Sequence, residues 1–251
     1  MDPTTSPASE TAMQAARATE PRAATALLGQ AAVVIFNDVT PEGREAFYRW
    51  HDREHIPERL AIPGFRRGRR FGRRGHSPEW LTLYEADDLA VLTSPAYLDR
   101  LNAPTPATVS TVAHFRNTSR SICRIVRSLG ESTGGHVLAL PLRVPVELGD
   151  ALTRALLEGA FPRLIDTTGI VACHLYAADM AASFTRTTES ERRAFDVPPW
   201  TALCEASTAE AAAAAMDVVR DELARQRIDA PVDGAVYALE VCHLAVNESL
   251  E

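Results

Sequence analysis

The chain repeats itself, and that repetition restricts its fold more than any other feature. In the leading copy "AAVVIFNDV" (31–39) reads as a buried strand. Thr40-Pro41-Glu42 then reads as a helix start, with Thr as N-cap, Pro at the first helical position and Glu in the first turn. The pattern predicts a helix from Pro41 to about His55, stopping there because Pro57 disfavours helical geometry at Ile56. A turn through "AIPG" leads to the strand "FRRGRRF" (65–71), and "WLTLYEA" (80–86) is a further strand. Residues 94–115 read as helix broken at Pro104 and Pro106, and "SRSICRIVRSL" (119–129) as the closing strand. The same order then restarts: strand 136–144, helix 146–165, strands 169–179 and 199–207, helix 208–226, strand 234–247.

Individual residues mark the duplication as well. Pro57 and Gly64 recur as Pro162 and Gly169, 105 residues on. "PEWLTLYEA" from Pro78 and "PPWTALCEA" from Pro198 share Pro, Trp, Leu, Glu and Ala at an offset of 120. The difference falls in the polar stretch "TRTTESERRAFDV" (185–197), where a long hairpin loop absorbs it. Each β-α-β-β-α-β unit is a ferredoxin-like arrangement, whose four-stranded antiparallel sheet has helices on one face and a second face needing cover. The expected fold class is therefore α+β: two tandem ferredoxin-like repeats packed sheet to sheet, helices outside, as in a dimeric α+β barrel. Residues 1–29 are expected to be a disordered or loosely helical extension, 30–130 the first repeat and 131–251 the second. The barrel interior is the expected pocket.

Composition narrows the function classes. A net charge of −7 argues against a nucleic-acid surface. No apolar run reaches the roughly 20 residues of a membrane helix, and no basic-then-apolar leader precedes the fold. Cys123, Cys173, Cys204 and Cys242 form no CxxC pair, and read as buried small hydrophobes in a reducing cytoplasm. The expected partner is a small-molecule substrate, with no nucleic acid and no membrane; a homodimer is left open.

The stretch "FYRWHDREHIPERLAIPGFRRGRRF" (47–71) concentrates the candidate chemistry. His51-x-x-Glu54-His55 fits a zinc-hydrolase pattern, since i and i+4 imidazoles can share one metal, but no third ligand is identifiable. Asp52, Arg53, Glu58 and Arg59 read as exposed charges at a helix end, where the dipole also favours His51 and His55. As chemistry, His55 is the first candidate for general base or acid, with His51 to tune it and Tyr48 as an oxyanion donor. Six arginines fill 65–74. Alternation puts Phe65, Arg67, Arg69 and Phe71 on one face, so Arg67 or Arg69 is placed to clamp a substrate anion beside Trp50 and Phe71. Trp80 and Trp200 read as core. In the second copy Ala160 stands opposite His55 and Leu156 opposite His51, which points to one active half and one scaffold half.

Tyr48 and Trp50, His55-Ile56-Pro57 and Pro63-Gly64-Phe65-Arg66 together resemble the first helix and second strand of the EthD-like branch of the dimeric α+β barrel superfamily. The resemblance covers about 25 residues as motif and 31–247 as element order. It implies a small-molecule pocket and, with no cofactor, a lyase or isomerase acting on an aromatic, polyketide-like or lactone substrate. It also leaves open a non-catalytic small-molecule or haem-binding protein. The superfamily builds its barrel from two chains, whereas here both halves lie in one.

Overall fold

The computed structural model describes residues 25–192 and 194–246. Eight strands form one closed antiparallel barrel: β1 (Ala31–Val39), β2 (Phe65–Gly72), β3 (Trp80–Ala86), β4 (Phe115–Leu129), β5 (His136–Leu142), β6 (Ile170–Ala178), β7 (Trp200–Ala206) and β8 (Ala235–Leu244). Around the barrel the order is β1-β3-β2-β8-β5-β7-β6-β4. Each half thus contributes a sheet of the same plan, β4-β1-β3-β2 and β8-β5-β7-β6. The halves join where β2 pairs with β8, from Arg67↔Leu244 to Gly72↔Ala238, and where β4 pairs with β6, from Cys123↔Ala178 to Leu129↔Cys173. Among the described residues closure leaves no unpaired sheet edge.

Strand alternation sorts the side chains. Ala32, Val34, Phe36, Phe71, Leu81, Leu83, Cys123, Val137, Ala139, Tyr176, Leu203, Ala235 and Tyr237 meet inside the barrel. The opposite faces of the strands pack under helices. In the first half these are α1 (residues 44–60), α2 (Pro95–Asn102) and α3 (Pro106–Val112); in the second, α4 (residues 149–165), a short α5 (Met180–Ser183) and α6 (Ala209–Arg225). Helices α2, α3 and α6 are capped by Ser94, Thr105 and Thr208, which accept from the backbone N–H three residues on.

Two expectations are corrected. Helix α1 does not stop before Pro57. It runs Arg44–Trp50, widens into a π-helical turn at His51–His55, and continues as Ile56–Leu60. The extra residue in that turn relieves the clash between the Pro57 ring and the preceding carbonyls. Helix α4 does the same before Pro162, with a π turn at Ala155–Ala160. Most of the 1–29 extension lies outside the described residues, but Ala26 and Leu27, expected to be loose, are packed. Leu27 joins the barrel interior, and Leu28 N donates to Glu85 Oε2 at 2.8 Å.

Candidate active site

His51 and His55 stand on the π turn of α1 and are both buried, at 4% and 6% exposure. They do not look into the barrel. They face the crevice between α1 and the outer surface of β1 and β3, lined by Ile35, Asn37, Phe47, Trp50, Thr82 and Tyr84. The expectation that His55 opens onto the barrel interior is therefore overturned, because a whole sheet thickness separates the two. The helix lies close to the sheet because β2 carries Gly68 beneath it, where a Cβ would come within 2.8 Å of Ile56.

The hydrogen bonds of His51 fix its chemistry. Arg70 Nη1 lies 3.0 Å from His51 Nδ1, and His51 Nε2 lies 3.2 Å from the Tyr84 hydroxyl. A guanidinium only donates, so Nδ1 accepts, the ring proton sits on Nε2, and the Tyr84 oxygen accepts it. That leaves the Tyr84 O–H to donate elsewhere. Burial, then the charges of Arg70 and His243, hold the His51 imidazolium well below the usual histidine range, so the ring is neutral. Burial raises the Tyr84 phenol, which stays protonated. Arg70, 2% exposed, also pairs with Asp52, donates to Glu240 Oε2 at 2.8 Å, and stacks on Tyr48 with its guanidinium 4.7 Å from the ring centre. His55 lies against Trp50 with ring centres 4.2 Å apart and the planes tilted by 33°, and Trp50 Nε1 donates to Thr108 Oγ1 at 3.1 Å.

The second half supplies one wall. Glu189, in the segment expected to be a mere hairpin loop, reaches the crevice and is 6% exposed. It accepts from Arg59 Nη2 at 2.7 Å, while Glu189 N donates to Leu101 O at 3.1 Å and Thr188 N to Asn102 Oδ1 at 3.0 Å. Arg59, expected at the surface, is only 3% exposed because this segment covers it.

Several sequence candidates lie elsewhere. Arg67, Arg69 and Phe71 point into the barrel, on the far face of β2 from His55, so neither arginine clamps a ligand there. Arg67 and Arg69 instead contact Glu85, and Arg69 reaches Glu205 at 2.8 Å. A bulge between Phe65 and Arg67 turns Phe65 outward, against Tyr84 and Tyr97, so Phe65 and Phe71 do not share a face. Tyr48 donates to Glu240 at 3.3 Å and does not line the crevice, so it is no oxyanion donor to His55's surroundings. The zinc arrangement does not fit either. Both nitrogens of His51 are engaged, one by a cation, and the Glu54 carboxylate accepts from Thr105. No group of three or more His, Cys, Asp or Glu suited to a metal occurs among the described residues. No helix among them is long and apolar enough to cross a membrane.

Arg70, Tyr84 and Glu189 were missed from sequence. Arg70 and Tyr84 had half a signal: alternation along β2 and β3 sets them apart from Arg67, Arg69 and Leu83, without saying which set meets the helix. Glu189 had none, being a loop residue from the other half. The corresponding crevice in the second half is solid. Leu156 and Ala160 replace the two histidines, Leu175 replaces Arg70, Cys204 replaces Tyr84, and all belong to one apolar cluster with Leu152, Ala155 and Phe161.

No family model matches the sequence, and no curated protein sequence matches it. Solved structures match its shape. An anthrone oxidase-like protein superposes at TM-score 0.61 and 12% identity, over 86% of this chain and 93% of the other. A candidate monooxygenase from Fusobacterium nucleatum gives 0.51 at 9% identity, over 87% and 95%. A candidate chlorite dismutase gives 0.50 at 11%, over 84% and 94%. Likeness at such identity speaks to fold and not to reaction. The fold of this chain is that of the dimeric α+β barrels, with both halves of the barrel drawn from a single polypeptide.

Proposed function

We propose that the protein is a small-molecule enzyme in which His55 transfers a proton, of lyase or isomerase type, on an aromatic, polyketide-like or lactone substrate and without an organic cofactor. The observation that supports this most is the one-sided polarity of the pair of crevices. Two buried imidazoles, a buried arginine and a buried phenol occupy one half where the other packs leucine, alanine and cysteine. A purely architectural role would need no such difference. An imidazole titrates near neutrality and serves as base or acid. The Tyr84 O–H, released by the tautomer of His51, is the donor for an enolate oxygen. Residues 30–130 form the active half and 131–251 the scaffold half, which also lends Glu189. The crevice as it stands holds about 20 Å³, room for one water, so substrate enters when the segment around Glu189 moves off α1. The helix motif supports the EthD-like branch, and four free cysteines support a reducing cytoplasm.

A second reading shares the first step. The anthrone oxidase-like neighbour favours oxygenation, in which the carbanion left by proton removal reduces dioxygen. Anthrone tests both. Under nitrogen in deuterated buffer, exchange of its ring methylene reports proton transfer alone. In air, conversion to anthraquinone consumes one dioxygen and releases one water per anthrone. Catalysed exchange without anthraquinone supports the lyase or isomerase type, and both together support oxygenation. Exchange no faster in wild type than in His55→Ala removes the proposal.

A further inference from the structure

The barrel has unlike ends. At one, Arg67, Arg69, Glu85, Glu205 and His174 fill the interior with ion pairs, and Leu27 closes it. At the other a cavity of about 470 Å³ opens inward between the two halves. Its floor is apolar: Phe36, Ala139, Pro141, Pro198, Ala235 and Tyr237. The void has a sequence cause. Where β1 presents Val34 and Phe36 to the interior, β5 presents Ala139 and Pro141 at the matching positions, and smaller side chains leave space. An eight-stranded barrel is just wide enough to be filled by its own side chains or to hold one small ligand, and this one does the first at one end only.

The rim is built and held. Tyr237 Oη donates to Pro78 O at 2.9 Å and pins the β2–β3 turn across the mouth. Asp38 Oδ2 accepts from Ser77 Oγ at 2.6 Å and from Asn117 Nδ2 at 2.8 Å, while Asp38 Oδ1 accepts from Glu79 N at 2.7 Å. Arg143 pairs with Asp196, whose backbone is itself tied to Thr118 and Arg120. Arg143 and Asp196 thus offset each other, Asp38 is held by neutral donors, and Asp233 at the outer edge disfavours an anion. His76 stands edge-on to Tyr237, with ring centres 6.2 Å apart. Flat prolines and aromatic edges around an apolar floor suit a planar ring system.

We infer that this barrel mouth is a second small-molecule site, independent of His55, that takes one uncharged planar aromatic molecule with a hydroxyl or carbonyl at the rim. The probes are 2-naphthol, its anionic counterpart 2-naphthalenesulfonate, and benzophenone as a photoreactive neutral ring. Calorimetric titration should show saturable binding of 2-naphthol at one site, at least tenfold tighter than the sulfonate. Ala139→Phe and Ala235→Phe, each scored if its circular dichroism and melting match wild type, should weaken it at least tenfold, and His55→Ala should leave it unchanged. Irradiation of the wild-type protein with benzophenone needs no variant and should place adducts on peptides containing Phe36, His76 or Tyr237. Absence of saturable 2-naphthol binding, its loss in His55→Ala, or adducts confined to residues 47–60 would overturn the inference.

Discussion

Arg69 and His174 stand 105 residues apart, at matching places on β2 and β6, and both reach Glu205 Oε1, at 2.8 and 3.2 Å. The duplication has put a permanent cation in one half and an imidazole in the other, around a carboxylate carried by the second half. Burial pushes the Glu205 carboxyl up, but the His174 hydrogen bond and the Arg69 charge outweigh it and hold it at about 2. Gly134 N adds a bond to Oε2 at 2.8 Å, and Ser128 Oγ lies 2.9 Å from His174 Nδ1.

Removing Arg69 leaves two glutamates buried with one cation fewer. Arg69→Met should cost about 3–5 kcal/mol, as for a buried pair deprived of one partner. Urea denaturation measures it, and a loss below about 1 kcal/mol would show the network to be dispensable.

The tautomer of His51 is open to direct observation. Nitrogen NMR of the ring should find Nδ1 unprotonated and Nε2 carrying the proton in wild type. In Arg70→Met the donor and the nearby charge both go, so the fixed tautomer should be lost and the titration midpoint should rise toward its ordinary value.

Acid should destabilise the fold in two stages. His51 has its folded-state midpoint depressed below 6.5, so the unfolded chain takes the proton more readily; its contribution is full above about pH 6.5 and is lost as pH falls below that. Glu205 is depressed from 4.5 to about 2, so its contribution is lost between those values. Melting temperatures followed downward from pH 7.5 should show both stages in wild type, and His51→Gln should lack the upper one.

For the proposed chemistry, His55→Ala should slow anthrone methylene exchange by ~10²–10⁴-fold, the usual range for a lost general base. Tyr84→Phe should cost ~10²–10³-fold through loss of one oxyanion donor. Unchanged rates in Tyr84→Phe with unchanged folding would assign that hydroxyl to packing alone.

Glu189 offers a test of entry. Glu189→Gln weakens the buried pairing with Arg59 that holds the segment around Glu189 against α1, so proteolytic nicking near residue 189 should quicken and the melting temperature should fall, because Arg59 is left buried beside Glu58 alone. Equal nicking rates would mean that the segment is held chiefly by its backbone contacts.

Much of the architecture was legible because it depends on periodicity. "WLTLYEA" and "AAVVIFNDV" read as strands and are strands end to end, and the matching Pro57 and Pro162 announced two like halves. The site was legible only in part. His51, His55 and Trp50 share one helix, so their proximity follows from spacing. The side of the sheet that α1 covers does not: alternation separated Arg67 and Arg69 from Arg70, but nothing local says which set meets the helix. The bulge after Phe65 hid the answer, since it breaks the parity that tied Phe65 to Phe71. Proline at 57 misled for a like reason, because the π turn that admits it leaves no mark in composition.

The short connection from β4 to β5 makes the two halves one molecule, and this changes what a substitution can do. In a barrel assembled from two copies of one subunit, every residue change appears twice, and both crevices must stay alike. Here Leu156 can fill one crevice while His51 keeps the other polar, and the segment around Glu189 can lengthen on one side only. The stoichiometry follows: one imidazole-lined crevice per 27.3 kDa chain, with the freedom to diverge residing in the partner half.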